Sequence, residues 1–577
     1  MDNKEEKQLE TFVHIEQVIK ECVGANGFWQ WMVILMVVLT CSATTTFEVF
    51  ANSIPQVRCK MEHGHDMKLK QSYPNASFAQ LRDMSTSDSR GCTRYKISNW
   101  SNFIDSLNSP QPDTNPKDYL KLEPCPYGYE YEMNEYQYPG GIVVEWDLVC
   151  DRANLVPLAT YFYLIGMLLG SVIGGFMGDY LGRKTGGIVV SIIECIFGFA
   201  TSFSPNYMCY VIMRSVVAGS GVARTTIFIL ISLEITTCRH RSTFLSMWGL
   251  FQNFLSRSIL SVLAYCIPNW RWLHSAHNSP SCLFFLYFFF LPESPQWLIS
   301  KGKNDLAIRV LKHGQRLNER FFGAPKINSQ IKEAIFMEFE RIIQKEETEM
   351  NQPLGIERTG TKALVKQKLK KFTRVFLAPY KTKKLFKTSI LSTLVWTLQI
   401  LTYYGLTYYA VFTRMSVYLV TALNSCMCLI ATFYVLIVYR IFESRKRPLM
   451  FCYALAASVL LTCGIYNLVL NPESDYVTVV CVNVVILTLQ AAMNMLFIYI
   501  PELYPAEVRS MGFGNTGGLG RIGGAFCIFL NQLDALKHGI PITIYGVLLL
   551  VQILILVFMN DIDYKFKMNV RLKKRRN

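Results

Sequence analysis

A guanidinium deep in an apolar stretch needs an anion, and three arginines of this chain are placed that way. Arg521 stands in Gly520-Arg-Ile-Gly-Gly524, and Arg224 and Arg257 lie in apolar runs of their own. A charge at mid-bilayer costs about 3 kcal/mol even on the most lenient scale, so each is a functional candidate by default. The arginine fork matches a carboxylate in two-point geometry. Arg521 is therefore the candidate for holding the anionic group of a small solute; the alternative is a structural pair with an acid on a neighbouring helix. Arg224 and Arg257 either add positive potential to the same cavity or pair with Glu194, and Arg224 has Glu234 as a second choice. Arg214 reads as structural. Trp396, Tyr403 and Tyr404 precede Gly405. Aromatic walls suit flat or cationic organic bodies, and Trp and Tyr also line membrane interfaces. Gln399 shares a face with Tyr403 at a spacing of four, which makes it a candidate hydrogen-bond donor. The chain contains no glycine-rich phosphate loop, nucleophile elbow or zinc spacing. The reading is accordingly not an enzyme, with no catalytic residue, metal or cofactor expected.

The elements that position these residues are membrane helices. Hydrophobic residues make up 51% of the 577 and charged residues 17%, whereas soluble chains carry about a quarter charged. A disordered, collagen-like or coiled-coil chain is excluded, and a polytopic membrane protein remains. A span needs about 20 apolar residues. Twelve stretches qualify, near 28–50, 154–176, 186–204, 207–233, 243–266, 270–291, 386–409, 415–439, 449–470, 475–499, 510–531 and 540–560. The span at 270–291 opens on the polar run His274, Ser275, His277, Asn278, Ser279, whose groups need partners inside the bundle. The first stretch follows a charged segment, 1–27, and lacks a small-residue cleavage site, so it reads as span 1 and not as a signal peptide.

Orientation follows the basic connections. Arg183 and Lys184, Arg239 and Arg241, the Lys-rich segment 292–385, Arg445 to Arg447 and the tail 561–577 all fall on one side if the spans alternate. That side is expected to be the cytoplasm, with both termini there. The net charge of +16 is then a topology signal, and no nucleic-acid partner is expected. The segment 51–153 forms one large outside loop. It holds Cys59, Cys92, Cys125 and Cys150, enough for two disulfides in any of three pairings. It also holds the glycosylation acceptors Asn75 and Asn99.

The long segment 292–385 separates spans 1–6 (28–50 and 154–291) from spans 7–12 (386–560), and motifs mark the junctions. Glu145-Trp-Asp-Leu-Val-Cys-Asp151 precedes span 2, and Gly178-Asp-Tyr-Leu-Gly-Arg-Lys184 follows it. Asn269-Trp-Arg-Trp272 opens span 6, Pro292-Glu-Ser-Pro-Gln-Trp-Leu298 follows it, and Pro501-Glu-Leu-Tyr-Pro-Ala-Glu-Val-Arg509 follows span 10. With the cysteine-bearing loop, these resemble the organic cation/anion/carnitine transporter family of the major facilitator superfamily, from Gly27-Phe-Trp-Gln30 to about residue 530. The resemblance implies an all-α membrane protein of the major facilitator fold, with two six-helix halves rocking about a central site. It implies a cytoplasmic latch of Gly178, Asp179, Gly182, Arg183, Glu234, Arg239, Glu502 and Arg509. It places Tyr403 at a cavity aromatic, and Arg521 where cation transporters tend to carry Asp and anion or carnitine transporters Arg.

Two junctions depart from the family pattern. The loop after span 8 reads Phe442-Glu-Ser-Arg-Lys-Arg447, with Ser444 where glycine is expected, and Asn560-Asp-Ile-Asp-Tyr564 replaces Pro-Glu-Thr after span 12. The expected function is plasma-membrane secondary transport of carboxylate-bearing organic anions or carnitine-like zwitterions by alternating access. Organic cations are the second substrate class, and a transporter-like sensor without flux is a third reading. The partners are a small organic ion and the lipid bilayer; the coupling ion stays open.

Overall fold

The computed structural model describes residues 15–40, 44–61, 63–86, 88, 91–96, 122–133, 137–237, 240–350, 377–409, 416–442, 444–470, 472, 474–504 and 509–559. Among them, eight unbroken helices are long and apolar enough to cross a membrane. These are span 2 (Leu155–Leu181), span 3 (Arg183–Ser202), span 4 (Tyr207–Glu234), span 7 (Lys383–Tyr409), span 8 (Val417–Ile441), span 9 (Lys446–Leu470), span 10 (Tyr476–Leu503) and span 12 (Ile540–Val557). Of the other four, spans 5, 6 and 11 are built in pieces. Span 1 comprises Phe28–Leu39 and Thr44–Ala51. Span 5 runs Arg241–Gly249 and Ser256–Cys266 around a widened π turn, Leu250–Leu255. Span 6, Trp270–Asn278 then Leu286–Phe290, tightens to a 3₁₀ turn at Ser279–Phe285, where Pro280 supplies no amide donor. Span 11, Arg509–Gly520 and Ile522–Gln532, is interrupted at Arg521 itself.

Close approach within the first half rests on small residues. A Cβ on Gly166, Gly170 or Gly174 would meet the backbone of Ser215, Gly219 or Ala223 at 2.1, 2.0 and 2.5 Å. A four-residue repeat on span 2 thus faces a four-residue repeat on span 4, the small-residue mode of membrane helix packing. The two halves meet along two seams, span 2 with span 11 and span 5 with span 8.

The loop after span 1 has β1 (Gln56–Cys59), β2 (Thr93–Tyr95), β3 (Leu122–Pro124) and β4 (Tyr129–Glu132). β1 pairs antiparallel with β4 and β2 with β3. Of the three pairings, the structure has Cys59–Cys125 and Cys92–Cys150. Burial and a 2.6 Å hydrogen bond to Asp147 hold the Tyr131 phenol well above its usual range. Asn75 is exposed in the turn before the helix Phe78–Ser85. Asn99 lies outside the described residues. Two motifs that are distant in sequence form one joint at this end. Glu145 accepts from Trp270 Nε1 at 2.5 Å and pairs with Arg271. Arg271 also donates to the carbonyls of Ser202 and Ser204 at 2.8 Å each, and Trp146 packs on Tyr207, Tyr210 and Trp270.

The opposite end, the basic face, is clasped by the helix Asn304–Arg320. Residues 15–23 meet Phe28–Leu39 at 109°. Asn318 fills the corner, accepting from Trp29 N at 2.7 Å and donating to Val23 O at 2.8 Å. Gln30 donates to Gly24 O at 2.7 Å and Ile235 O at 3.2 Å, which ties the start of span 1 to the end of span 4. Hydrogen bonds from Lys332 and Gln315 hold the Glu319 carboxyl below its usual range.

Candidate functional site

The mid-depth arginines divide into two kinds. Arg224 on span 4 is locked to Glu194 on span 3 by contacts of 2.5 and 3.1 Å, both side chains being almost fully buried. Arg214 pairs with Glu48 of span 1 at 3.0 Å and reaches His274 Nε2 at 3.0 Å. His274 in turn contacts Ser202 at 3.2 Å, so this part of the polar opening of span 6 is used inside the first half. These charges are satisfied where they stand.

Arg257 and Arg521 differ from them. Arg257 is 4% exposed, and among the described residues no carboxylate lies within ion-pair distance of it. It donates from Nη1 to the Tyr403 hydroxyl at 2.9 Å, lies 5.7 Å from that ring's centre, and its Nε has no hydrogen-bond partner among the described residues. Arg257 belongs to span 5 and Tyr403 to span 7, so the contact crosses between the halves. The π turn Leu250–Leu255 ends just before it, and such turns recur at functional sites. Arg521 sits at the break of span 11, faces Met167 Sδ of span 2 at 3.2 Å, and likewise has an unpartnered Nε among the described residues. The second choice foreseen for Arg257, a pair with Glu194, is not found, because Arg224 occupies that carboxylate. One half thus contributes Arg257 and the other Arg521, each at the surface where the halves meet.

The residues of the expected latch form a compact cluster on the basic face. Arg183 contacts Asp179 at 2.7 Å, Gly178 O at 2.7 Å and Glu234 at 3.1 Å. Glu293, from the motif after span 6, accepts from the amides of Arg183 at 2.7 Å and Lys184 at 3.1 Å. Trp297 Nε1 donates to Asp179 O at 3.0 Å. Gly182 makes this possible: its φ is +99°, and a Cβ there would lie 2.4 Å from Glu293 Oε2. Gly182→Ala is expected to cost about 1–3 kcal/mol from the backbone alone, read as a lower melting temperature of the purified protein; an unchanged melting curve would contradict this geometry. Arg239 lies outside the described residues, as do the side chains of Glu502 and Arg509.

The model of the family described as "Sugar (and other) transporter" matches residues 127–562. The chain belongs to this family. It is a multi-pass membrane transporter, not an enzyme. It is 25% identical to "Solute carrier family 22 member 6-B" of Xenopus laevis, covering 92% of this chain and 89% of the relative. It is 26% identical to "Solute carrier family 22 member 4" of Mus musculus, over 88% and 85%, and 23% identical to "Organic cation transporter protein" of Drosophila melanogaster, over 88% and 85%. The expected resemblance to organic cation/anion/carnitine transporters is borne out. The partially occluded inward-open xylose transporter XylE from E. coli shares the fold, with a TM-score of 0.54 at 12% identity, over 92% of this chain and 98% of the other. This supports the major facilitator fold.

In this transporter the remaining candidates separate by contact. Both ends of the Gln399 amide are taken, Nε2 by Leu489 O at 2.9 Å and Oε1 by Tyr453 OH at 2.7 Å. Trp396 stands edge-on to Phe497 and Phe513 at 5.1 and 5.9 Å, and a Cβ on Gly520 would strike it at 2.3 Å. Both residues join helices within the second half. Tyr403 leads a row of rings, with Tyr404 at 5.8 Å and Tyr408 a further 6.0 Å on. The buried Tyr408 hydroxyl has no partner among the described residues, a feature that sequence spacing did not single out. Cys428 of span 8 lies 3.8 Å from both Tyr403 OH and Gln490 Oε1 of span 10. These polar side chains in spans 8 and 10 also went unmarked, because isolated Cys and Gln in apolar runs read as packing.

Proposed function

We propose that this protein is a plasma-membrane secondary transporter of small organic ions, favouring those with a carboxylate, and that it works by alternating access with both termini in the cytoplasm. The observation that carries the reading is Arg257: a buried guanidinium with no carboxylate partner among the described residues, aimed at Tyr403 of the opposite half. A buried unpaired charge is costly, and a substrate carboxylate would supply the missing partner. Arg521 brings a second cation from the other half. A solute bridging the two would draw the halves together, and the Asp179–Arg183–Glu234 cluster with Glu293 would hold the basic face closed until the halves rock. Relatives named as solute carrier family 22 members support a carrier of solutes; the Drosophila relative's name supports an organic ion as cargo and keeps cations as the second class, which the row of tyrosines would accommodate.

Uptake in cells tests the reading, with a labelled carnitine-like zwitterion, an aromatic carboxylate and a quaternary ammonium cation, for wild type and Arg521→Asp. Uptake of a carboxylate-bearing solute that falls at least about tenfold in the variant is expected, a loss of about 1.4 kcal/mol. Wild-type uptake of the cation alone would overturn the carboxylate assignment. No flux of any of the three, with the protein at the surface, would favour the sensor reading.

A further inference from the structure

We propose that a cleft at the basic-face end of spans 7, 10 and 12 holds the headgroup of an anionic phospholipid. The cleft has a volume of about 210 Å³ and is lined by Lys384, Lys387, Leu391, Leu503, Phe558 and Met559. It is separate from the seams that carry Arg257 and Arg521. Lys384 and Lys387 are one turn apart on span 7, so their ammonium groups share a face. Both are exposed, and among the described residues neither forms an ion pair with an acid.

The local charge is set against the helix. Span 7 begins at Lys383 with no acidic residue in its first turn. Three lysines, Lys383, Lys384 and Lys387, crowd the positive end of the helix dipole, where anions are favoured and cations are not. An anion seated between Lys384 and Lys387 relieves that repulsion. The walls identify which anion. Leu391, Leu503 and Phe558 offer apolar surface that a free phosphate would leave idle but the glycerol and upper acyl carbons of a lipid would cover. Elsewhere on span 7, Phe386, Ile390 and Leu394 are also exposed, so the helix that carries the two lysines presents apolar side chains outward as well. The far wall is anchored by Lys446, whose Nζ donates to the carbonyls of Val557 and Met559 at 3.0 and 2.9 Å. Two lysines, an apolar floor and a position at headgroup depth complement one occupant, an anionic lipid of the leaflet on this face.

The test uses the full-length purified protein in detergent, titrated with phosphatidylserine or phosphatidylcholine and read by native mass spectrometry. One phosphatidylserine should bind in preference to phosphatidylcholine. Lys384→Ala with Lys387→Ala should weaken it roughly thirtyfold, from about 1 kcal/mol per lysine at a charged membrane surface. Lys384→Arg with Lys387→Arg should retain binding. Leu391→Trp, which fills the cleft and keeps both charges, should lose it. Lys381→Ala with Lys383→Ala removes the same charge outside the cleft and should bind as wild type does. The proposal is overturned if that control weakens binding as much as the cleft variant, or if Leu391→Trp binds normally, since either result means diffuse attraction. It is also overturned if glycerophosphoserine competes at the concentration of the lipid, which would make this a simple anion site.

Discussion

Arg257→Gln is expected to reduce uptake of a carboxylate-bearing solute by about thirtyfold or more while the protein still reaches the surface. Truncating one partner of a desolvated charged pair costs about 2–5 kcal/mol, which spans roughly thirtyfold to several thousandfold. The same substitution should do little harm to the empty transporter. Arg257 has no carboxylate partner among the described residues, so its removal orphans no described buried anion. Of its described contacts, the 2.9 Å hydrogen bond to Tyr403 and the guanidinium's contact with that ring are lost. Deleting an uncompensated buried charge also removes its desolvation penalty. The signature is therefore a melting temperature that holds or rises while flux disappears. Arg257→Lys keeps the charge but not the fork and should fall between, as should Tyr403→Phe. Uptake within threefold of wild type for Arg257→Gln would remove this residue from the site and with it the main support for the carboxylate reading.

How far the sequence carried depends on the range of the interaction. The long apolar helices were legible because about 20 apolar residues in a row are a local property, and the basic connections give an expected orientation by composition alone. The arginines within the spans could not be ranked in the same way. Whether each is free or paired depends on acids 30 residues away for Arg224 and 166 away for Arg214. Sequence placed Arg521 first; in three dimensions Arg257 is the more deeply buried of the two unpaired ones, and its partner lies 146 residues off. The spacing of four between Gln399 and Tyr403 correctly put both on one helix, yet Leu489 and Tyr453 from two other spans consume the Gln399 amide. The π turn in span 5 also left no mark, since Leu-Phe-Gln-Asn-Phe-Leu reads as ordinary helix. The motifs around Glu145 and Asn269 were visible separately; that Glu145 joins Trp270 and Arg271 is a property of the assembled bundle.

The pair Arg224–Glu194 gives the complementary expectation, a large effect on folding with none on selectivity. Arg224→Ala leaves Glu194, 1% exposed, as a carboxylate without its 2.5 Å partner. Breaking a buried pair on one side costs about 3–5 kcal/mol, enough to lower the surface abundance of a marginally stable protein severalfold. Replacing both partners with apolar residues of similar size, Arg224→Met with Glu194→Leu, removes the charge and its obligation together. Such swaps are often neutral or stabilising by about 1–4 kcal/mol. The double variant should thus melt several degrees above the single one, and the two substitutions should be strongly non-additive. Flux per surface molecule decides the role. If Arg224 is structural, the double variant transports the same solutes as wild type once abundance is matched. If it transports none of them while melting like wild type, Arg224 touches the substrate, and the division of the arginines into satisfied and available ones fails at that residue.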